Sequence, residues 1–154
     1  MQSTNEYLSS ISRLVLAVLV GGLVGWNRQL NGKPAGLRTH MLVSLGAAVF
    51  VMIPWQISSS HSPDAISRAI QGVATGVGFL GAGEIIIQRQ QESAKTQVIG
   101  LTSAAAIWIT AALGMAAGCG LWQISLTGTL LVLLILTVAK KIERLAPPDY
   151  KKDT

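Results

Sequence analysis

The chain has 154 residues, half of them apolar and only 12% charged, with a net charge of +5. Ordinary soluble domains carry roughly 25% charged residues, and here the apolar residues gather in blocks of about 20, the length that crosses a hydrocarbon core. An ordinary soluble domain is thereby excluded, and a single cysteine, Cys119, excludes an intrachain disulfide.

Five blocks follow one another: Leu8–Trp26, Leu37–Ile57, Ile66–Ile87, Val98–Gly120 and Leu121–Ala139. Each reads as one transmembrane helix of an all-α, polytopic bundle. The first lacks a basic n-region and an A-x-A cleavage site, so it reads as a retained helix and not a signal peptide. Between the first two lies "WNRQLNGKPAGLRTH", residues 26–40, where Arg28, Lys33, Arg38, Thr39 and His40 gather beside the start of the second helix. Pro34 and Gly36 set a compact turn, and a helix N-terminus there offers free N–H groups to anions. Two readings stay open: a basic loop touching lipid phosphates, or a specific site for an anionic group or a partner protein. The stretch "GMAAGCGLWQ" reads as a tight turn between the last two helices. The tail over residues 140–154 is basic and too short for a second domain, and Pro147-Pro148 stops any continuing helix.

Charge then orients the bundle. Ten basic residues (Arg28, Lys33, Arg38, Arg89, Lys95, Lys140, Lys141, Arg144, Lys151 and Lys152) fall on one side, and only Arg13 and Arg68 on the other. By the positive-inside rule the N-terminus is outside and the C-terminus cytoplasmic. Trp26, Trp55 and Trp122 sit at block ends, where indole rings favour the headgroup layer. The basic pI of 9.8 is therefore a topology signal, and no nucleic-acid partner is read from it.

Within the third block, Gly76-Val77-Gly78-Phe79-Leu80-Gly81 matches the dinucleotide pattern G-x-G-x-x-G. That fingerprint needs a strand before it, a helix after it and an acidic residue about 20 positions on. A membrane-length apolar block supplies none of these, and no bound nucleotide or other cofactor is read. At about 100° per residue, Gly72, Gly76 and Gly83 fall on one stripe with Phe79, and Gly78 and Gly81 mark the other side. Small residues let helices approach closely in lipid, so the third helix is expected to have close neighbours on two faces. An alternative stays open: so much glycine exposes carbonyls to an ion or a moving partner. Further small-residue pairs occur at Gly21/Gly25 and Gly114/Gly118.

Arg68 and Glu84 lie inside the third block, and intramembrane charges are functional candidates by default. They are about 24 Å apart along the helix and cannot pair. Arg68 either pairs with Asp64 one turn earlier or projects into the bundle. His40 reads as a bonded interfacial histidine. Two histidines and one cysteine cannot assemble a transition-metal cluster, and Asp64 and Glu84, the oxygen ligands a magnesium site would need, fall on opposite sides. No nucleophile or acid–base set converges, so no catalysis is expected.

The stretches "KPAGLRTHMLVSLGAAVF" (33–50), "SRAIQGVATGVGFLGAGEI" (67–85) and "VIGLTSAAAIWITAALGMAAG" (98–118), in this order and sidedness, resemble the MgtC/SapB family of bacterial inner-membrane proteins. The resemblance covers residues 10–140. It implies a hydrophobic bundle in the cytoplasmic membrane and a link to low magnesium, acid or ionic stress. It implies a regulator of other integral membrane proteins, such as the ATP synthase or a transporter, or else a part of a cation transport system. A homo-oligomer is a further expectation. By position, Gly36 to Thr39 match the family's loop-to-helix motif, Arg68 its arginine ten residues before G-F-L-G, Gly78 to Gly83 that motif, and Gly100-Leu101-Thr102 the start of the fourth helix. Asn27 stands where the family carries an acidic residue, and Glu84 where relatives tend to be apolar. Many relatives carry a C-terminal cytoplasmic domain; here the expectation is a short tail only.

Overall fold

The computed structural model describes residues 4–57, 63–89 and 96–145. Helix α1 runs Thr4–Leu30, α2 Leu37–Ile57 and α3 Pro63–Gly83. Strands β1, Ile86–Arg89, and β2, Thr96–Ile99, precede α4, Leu101–Gly118. Helix α5, Trp122–Leu134, continues through a π-helical turn, Ile135–Ala139, into α6, Lys140–Leu145. Among the described residues, four helical stretches are long and apolar enough to cross a membrane: α1, α2, α4 and the continuous run Trp122–Ile142. The chain is an all-α membrane bundle with one small β-ribbon. Helix α3 has 21 residues, but Arg68, Gln71 and five glycines dilute its apolar content, and it is not among the four.

Two ends of the bundle are defined by contacts between distant segments. At one end Arg28 reaches Ser103, the Glu84 backbone abuts Gly100, and the Lys140 ammonium donates to Asn31 Oδ1. At the other end Arg13 Nη1 donates to the Gly118 carbonyl at 3.3 Å, placing a cation on the C-terminus of α4 where the helix dipole favours it. The turn from α4 to α5 is as tight as expected. Gly120 takes φ 79°, a left-handed conformation that glycine adopts without steric cost.

Several boundaries differ from those that hydropathy delimits. Helix α1 continues to Leu30, not Trp26, so Arg28 belongs to a helix and not to a loop. Helix α3 ends at Gly83, not Ile87, and α4 begins at Leu101, not Val98. Between them β1 and β2 pair antiparallel, Ile86 opposite Ile99 and Arg89 opposite Thr96. The reason is local: Ile85-Ile86-Ile87 is a β-branched run, stiff at χ1 and suited to a strand, and an apolar run by itself cannot tell strand from helix. Lys95, Lys151, Lys152 and Pro147-Pro148 lie outside the described residues.

The core is built on α1, α2 and α4. Val20, Val24, Leu113 and Val132 form one cluster, Ala17, Ala48 and Ala117 a second, and Ala47, Val73 and Ala111 a third. Small residues dominate because the backbones nearly touch. A Cβ on Gly21 would lie 2.5 Å from the His40 carbonyl oxygen, and one on Gly118 would lie 2.7 Å from that of Ala48. A Cβ on Gly114 would strike the Ser44 carbonyl. The pairs Gly21/Gly25 and Gly114/Gly118 thus bring both α1 and α4 close against α2, and dispersion contacts take over where lipid removes any hydrophobic drive between helices.

Candidate functional site

Polar groups concentrate at the Arg28 end. Arg28, in the last turn of α1, is only 4% exposed and donates from Nη2 to Ser103 Oγ at 2.8 Å. His40 is fully buried one turn into α2, its Nδ1 3.0 Å from the Gly36 carbonyl. Ser44, one turn further, is also fully buried. Three buried atoms in this layer have no hydrogen-bond partner: Arg28 Nε, His40 Nε2 and Ser44 Oγ. Such groups are costly unless something satisfies them. Glu84, half-buried just past α3, is close enough for its charge to act on both Arg28 and His40, yet no ion pair joins it to Arg28.

The loop before α2 is held by its own backbone. The Lys33 amide donates to the Arg28 carbonyl at 3.1 Å and the Gly32 amide to the Gln29 carbonyl at 3.0 Å. Gln29 Oε1 accepts from the Leu37 amide at 3.2 Å, which caps the start of α2. Lys33 therefore stands beside a cavity of about 210 Å³ that it lines together with residues 98–103. Arg38 is exposed and Thr39 half-buried on the outer turn of α2. Asn27 accepts on its main-chain carbonyl from the Asn31 side chain at 2.7 Å.

One expectation for this region needs correction. Arg28 does not sit in a solvated basic loop; it is inside the protein with a serine from α4. His40 is bonded, as expected, and fully buried in the protein. Ser103, read only as part of the fourth helix, is the partner that sequence reasoning missed. A serine in an apolar block carries no periodic signal of the helix it will meet.

The glycine stripe of α3 is elsewhere. A Cβ on Gly72, Gly76, Gly78 or Gly83 would meet nothing within 4 Å, and Phe79 is 87% exposed. Among the α3 glycines and the described residues, only Gly81 has a close neighbour: a Cβ there would lie 3.5 Å from the Ala104 carbonyl oxygen. Helix α3 buries Val73 and Gly81, so it has one neighbouring face, on α4 and α2, and not the expected two. Arg68 is exposed: it does not project into the bundle, and it forms no ion pair with Asp64. The structure thus brings together Arg28, Lys33 and Glu84, and leaves Arg68, Gly76, Gly78 and Gly83 on an open face.

At the opposite end, Cys119 follows α4 beside Arg13. Burial pushes its thiol up, and the neighbouring guanidinium charge offsets this only in part. Among the described residues no group of three or more His, Cys, Asp or Glu comes together.

A family model for the MgtC family matches residues 14–145, from the first turns of α1 to the end of α6. The chain belongs to the MgtC family. It is 52% identical over 147 residues to protein SrpB of Synechococcus elongatus, covering 92% of this chain and 80% of that protein. It is 41% identical over 146 residues to YhiD of Escherichia coli K12, which is named as a candidate magnesium transporter, covering 91% of this chain and 65% of YhiD. Protein MgtC of Salmonella typhimurium is 37% identical over 139 residues, covering 88% of this chain and 56% of MgtC. The chain thus spans most of SrpB but less than two thirds of the other two. No solved structure matches it. Both the buried Arg28–Ser103 pair and the open glycine face of α3 fall within the family's matched region.

Proposed function

We propose that this MgtC-family protein is a non-catalytic regulator in the bacterial inner membrane. It serves adaptation to low magnesium, acid or ionic stress by binding another integral membrane protein. In this reading α3 crosses the bilayer together with the four apolar spans, with the N-terminus outside and the Arg28 end in the cytoplasm, which the ten-to-two distribution of basic residues supports. The observation that carries the proposal is the face of α3. Among the described residues nothing lies within 4 Å of a Cβ built on Gly72, Gly76, Gly78 or Gly83, whereas the clusters between α1, α2 and α4 form without that face. A furrow of small residues suits the close approach of a foreign helix.

A cation transport role is the second reading, supported by the name that YhiD carries. The interior argues against it. The buried polar layer is headed by the positive charge of Arg28, which repels a divalent cation entering between α1, α2 and α4. One experiment separates the two. The purified protein in sealed vesicles is assayed for magnesium and proton flux, and detergent extracts are assayed for a co-purifying membrane complex. A complex with no flux above protein-free vesicles is expected. Flux that Arg68→Ala or Glu84→Gln abolishes would overturn the regulator.

A further inference from the structure

Four features converge on the cavity of about 210 Å³ beside Lys33. Its volume is an order of magnitude more than one water needs. First, the N-terminus of α4 forms part of its wall and has no side-chain cap. The first intrahelical bond runs from the Ala104 amide to the Gly100 carbonyl, so the amides of Leu101, Thr102 and Ser103 lack helical acceptors. Second, Gly100, at φ 102°, brings the chain into the helix so closely that a Cβ there would strike the Glu84 carbonyl. Third, Lys33 is exposed on the rim, its backbone pinned to the end of α1.

The fourth feature is independent of the helix end. Arg28 is buried behind the cavity, directed at its wall, with Nη2 on Ser103 Oγ and Nε unpaired. A hydroxyl has one proton and two lone pairs. Because Ser103 Oγ accepts from Arg28, its proton is left to donate elsewhere, and Ser103 lines the cavity. Arginine cannot shed its charge in a protein, so a permanent cation stands behind a wall of donors. Among the described residues, the opposing charge nearby is Glu84, which forms no ion pair with Arg28.

We propose that this cavity is a binding site for a phosphate-type oxyanion, held by Lys33, the Thr102 and Ser103 hydroxyls and the free amides of the first turn of α4, with Arg28 polarising Ser103 from behind. The ligand's charge compensates the buried guanidinium, and its oxygens satisfy the uncapped helix end. Two sources offer this chemistry, a free phosphate group and the headgroup of an anionic lipid. The site does not rest on the regulator reading and stands whether or not the protein transports ions.

The test uses the full chain in a non-ionic detergent. Thermal stability is followed against inorganic phosphate, with chloride at matched ionic strength as control. Retention of phosphatidylglycerol against phosphatidylcholine is followed by native mass spectrometry. The variants are Lys33→Gln and Thr102→Val, both at exposed positions that folding tolerates, Ser103→Ala, and Lys141→Gln as a control for general surface charge. Loss of one charge-assisted donor weakens binding roughly tenfold or more. The expected result is saturable stabilisation by phosphate, weakened at least that much by Lys33→Gln and Ser103→Ala, unchanged by Lys141→Gln, and strengthened by Glu84→Gln. Retention of phosphatidylglycerol alone, lost in the same variants, assigns the site to a lipid headgroup. Binding that neither Lys33→Gln nor Thr102→Val alters, or no preference for phosphate or phosphatidylglycerol over the controls, overturns the proposal.

Discussion

The α1–α2–α4 core and the open face of α3 are both rich in glycine, and they use it in opposite ways. In the core, Gly21, Gly114 and Gly118 lie where another backbone already occupies the space of a Cβ. On α3, Gly72, Gly76, Gly78 and Gly83 have that space empty. The first set makes contact inside the chain, and the second keeps a surface smooth. Spacing alone treats them alike, because both follow the one-turn rhythm of small residues.

Substitutions can break this comparison, beginning with the largest effect. Gly114→Ala forces a methyl group into the Ser44 carbonyl; overpacking of this kind costs about 1–3 kcal/mol or more. Chemical unfolding in detergent should show a loss at or above the top of that range, and a wild-type midpoint would mean that the core is looser than described. Ser103→Ala removes the acceptor of a buried guanidinium, a loss of about 1–3 kcal/mol, read by the same unfolding curves. Substitution of Arg38, which is exposed, should leave them in place. Gly76→Ala meets no neighbour, and helix propensity favours alanine by about 0.8–1.0 kcal/mol. The isolated protein should be unchanged or slightly more stable, while recovery of a membrane complex falls. Equal destabilisation by Gly76→Ala and Gly114→Ala would erase the distinction between the two regions.

The smallest effect concerns Cys119. Since burial raises its thiol above the ordinary range and Arg13 draws it down, maleimide labelling should be slow at neutral pH and accelerate as pH rises, because the thiolate is the reactive form. Arg13→Ala removes the cation, raises the thiol further and slows labelling at a given pH. Faster labelling would show that Arg13 closes the α4–α5 turn sterically, not that it acts through its charge.

Much of the fold was legible in the residues. The hydropathy blocks delimit the same residues for α2, and "GMAAGCGLWQ" places the α4–α5 turn because glycine and an amphipathic Trp-Gln pair interrupt an apolar run. The ribbon between α3 and α4 was hidden, since Ile85-Ile86-Ile87 raises hydropathy equally as strand or helix. The site was half legible. Lys33 and Arg28 stand out by charge, and a helix N-terminus reads as a place for an anion at α2, whereas the site proposed above lies at α4. Charge also misled, because a basic residue near a turn reads as solvated, whereas Arg28 points inward along α1.

Composition and block length settle that the chain is a helical membrane protein, because a bilayer admits few ways to satisfy the backbone, and the motif order settles its family. Periodicity also settles that α3 carries a glycine stripe. Which way that stripe faces, and which helix supplies the partner of Arg28, only the tertiary structure decides. A helical period sets the angle between residues on one helix; the direction in which a face turns depends on the neighbours, here α1 and α4 meeting α2 through Gly21 and Gly114 and leaving α3 at the edge.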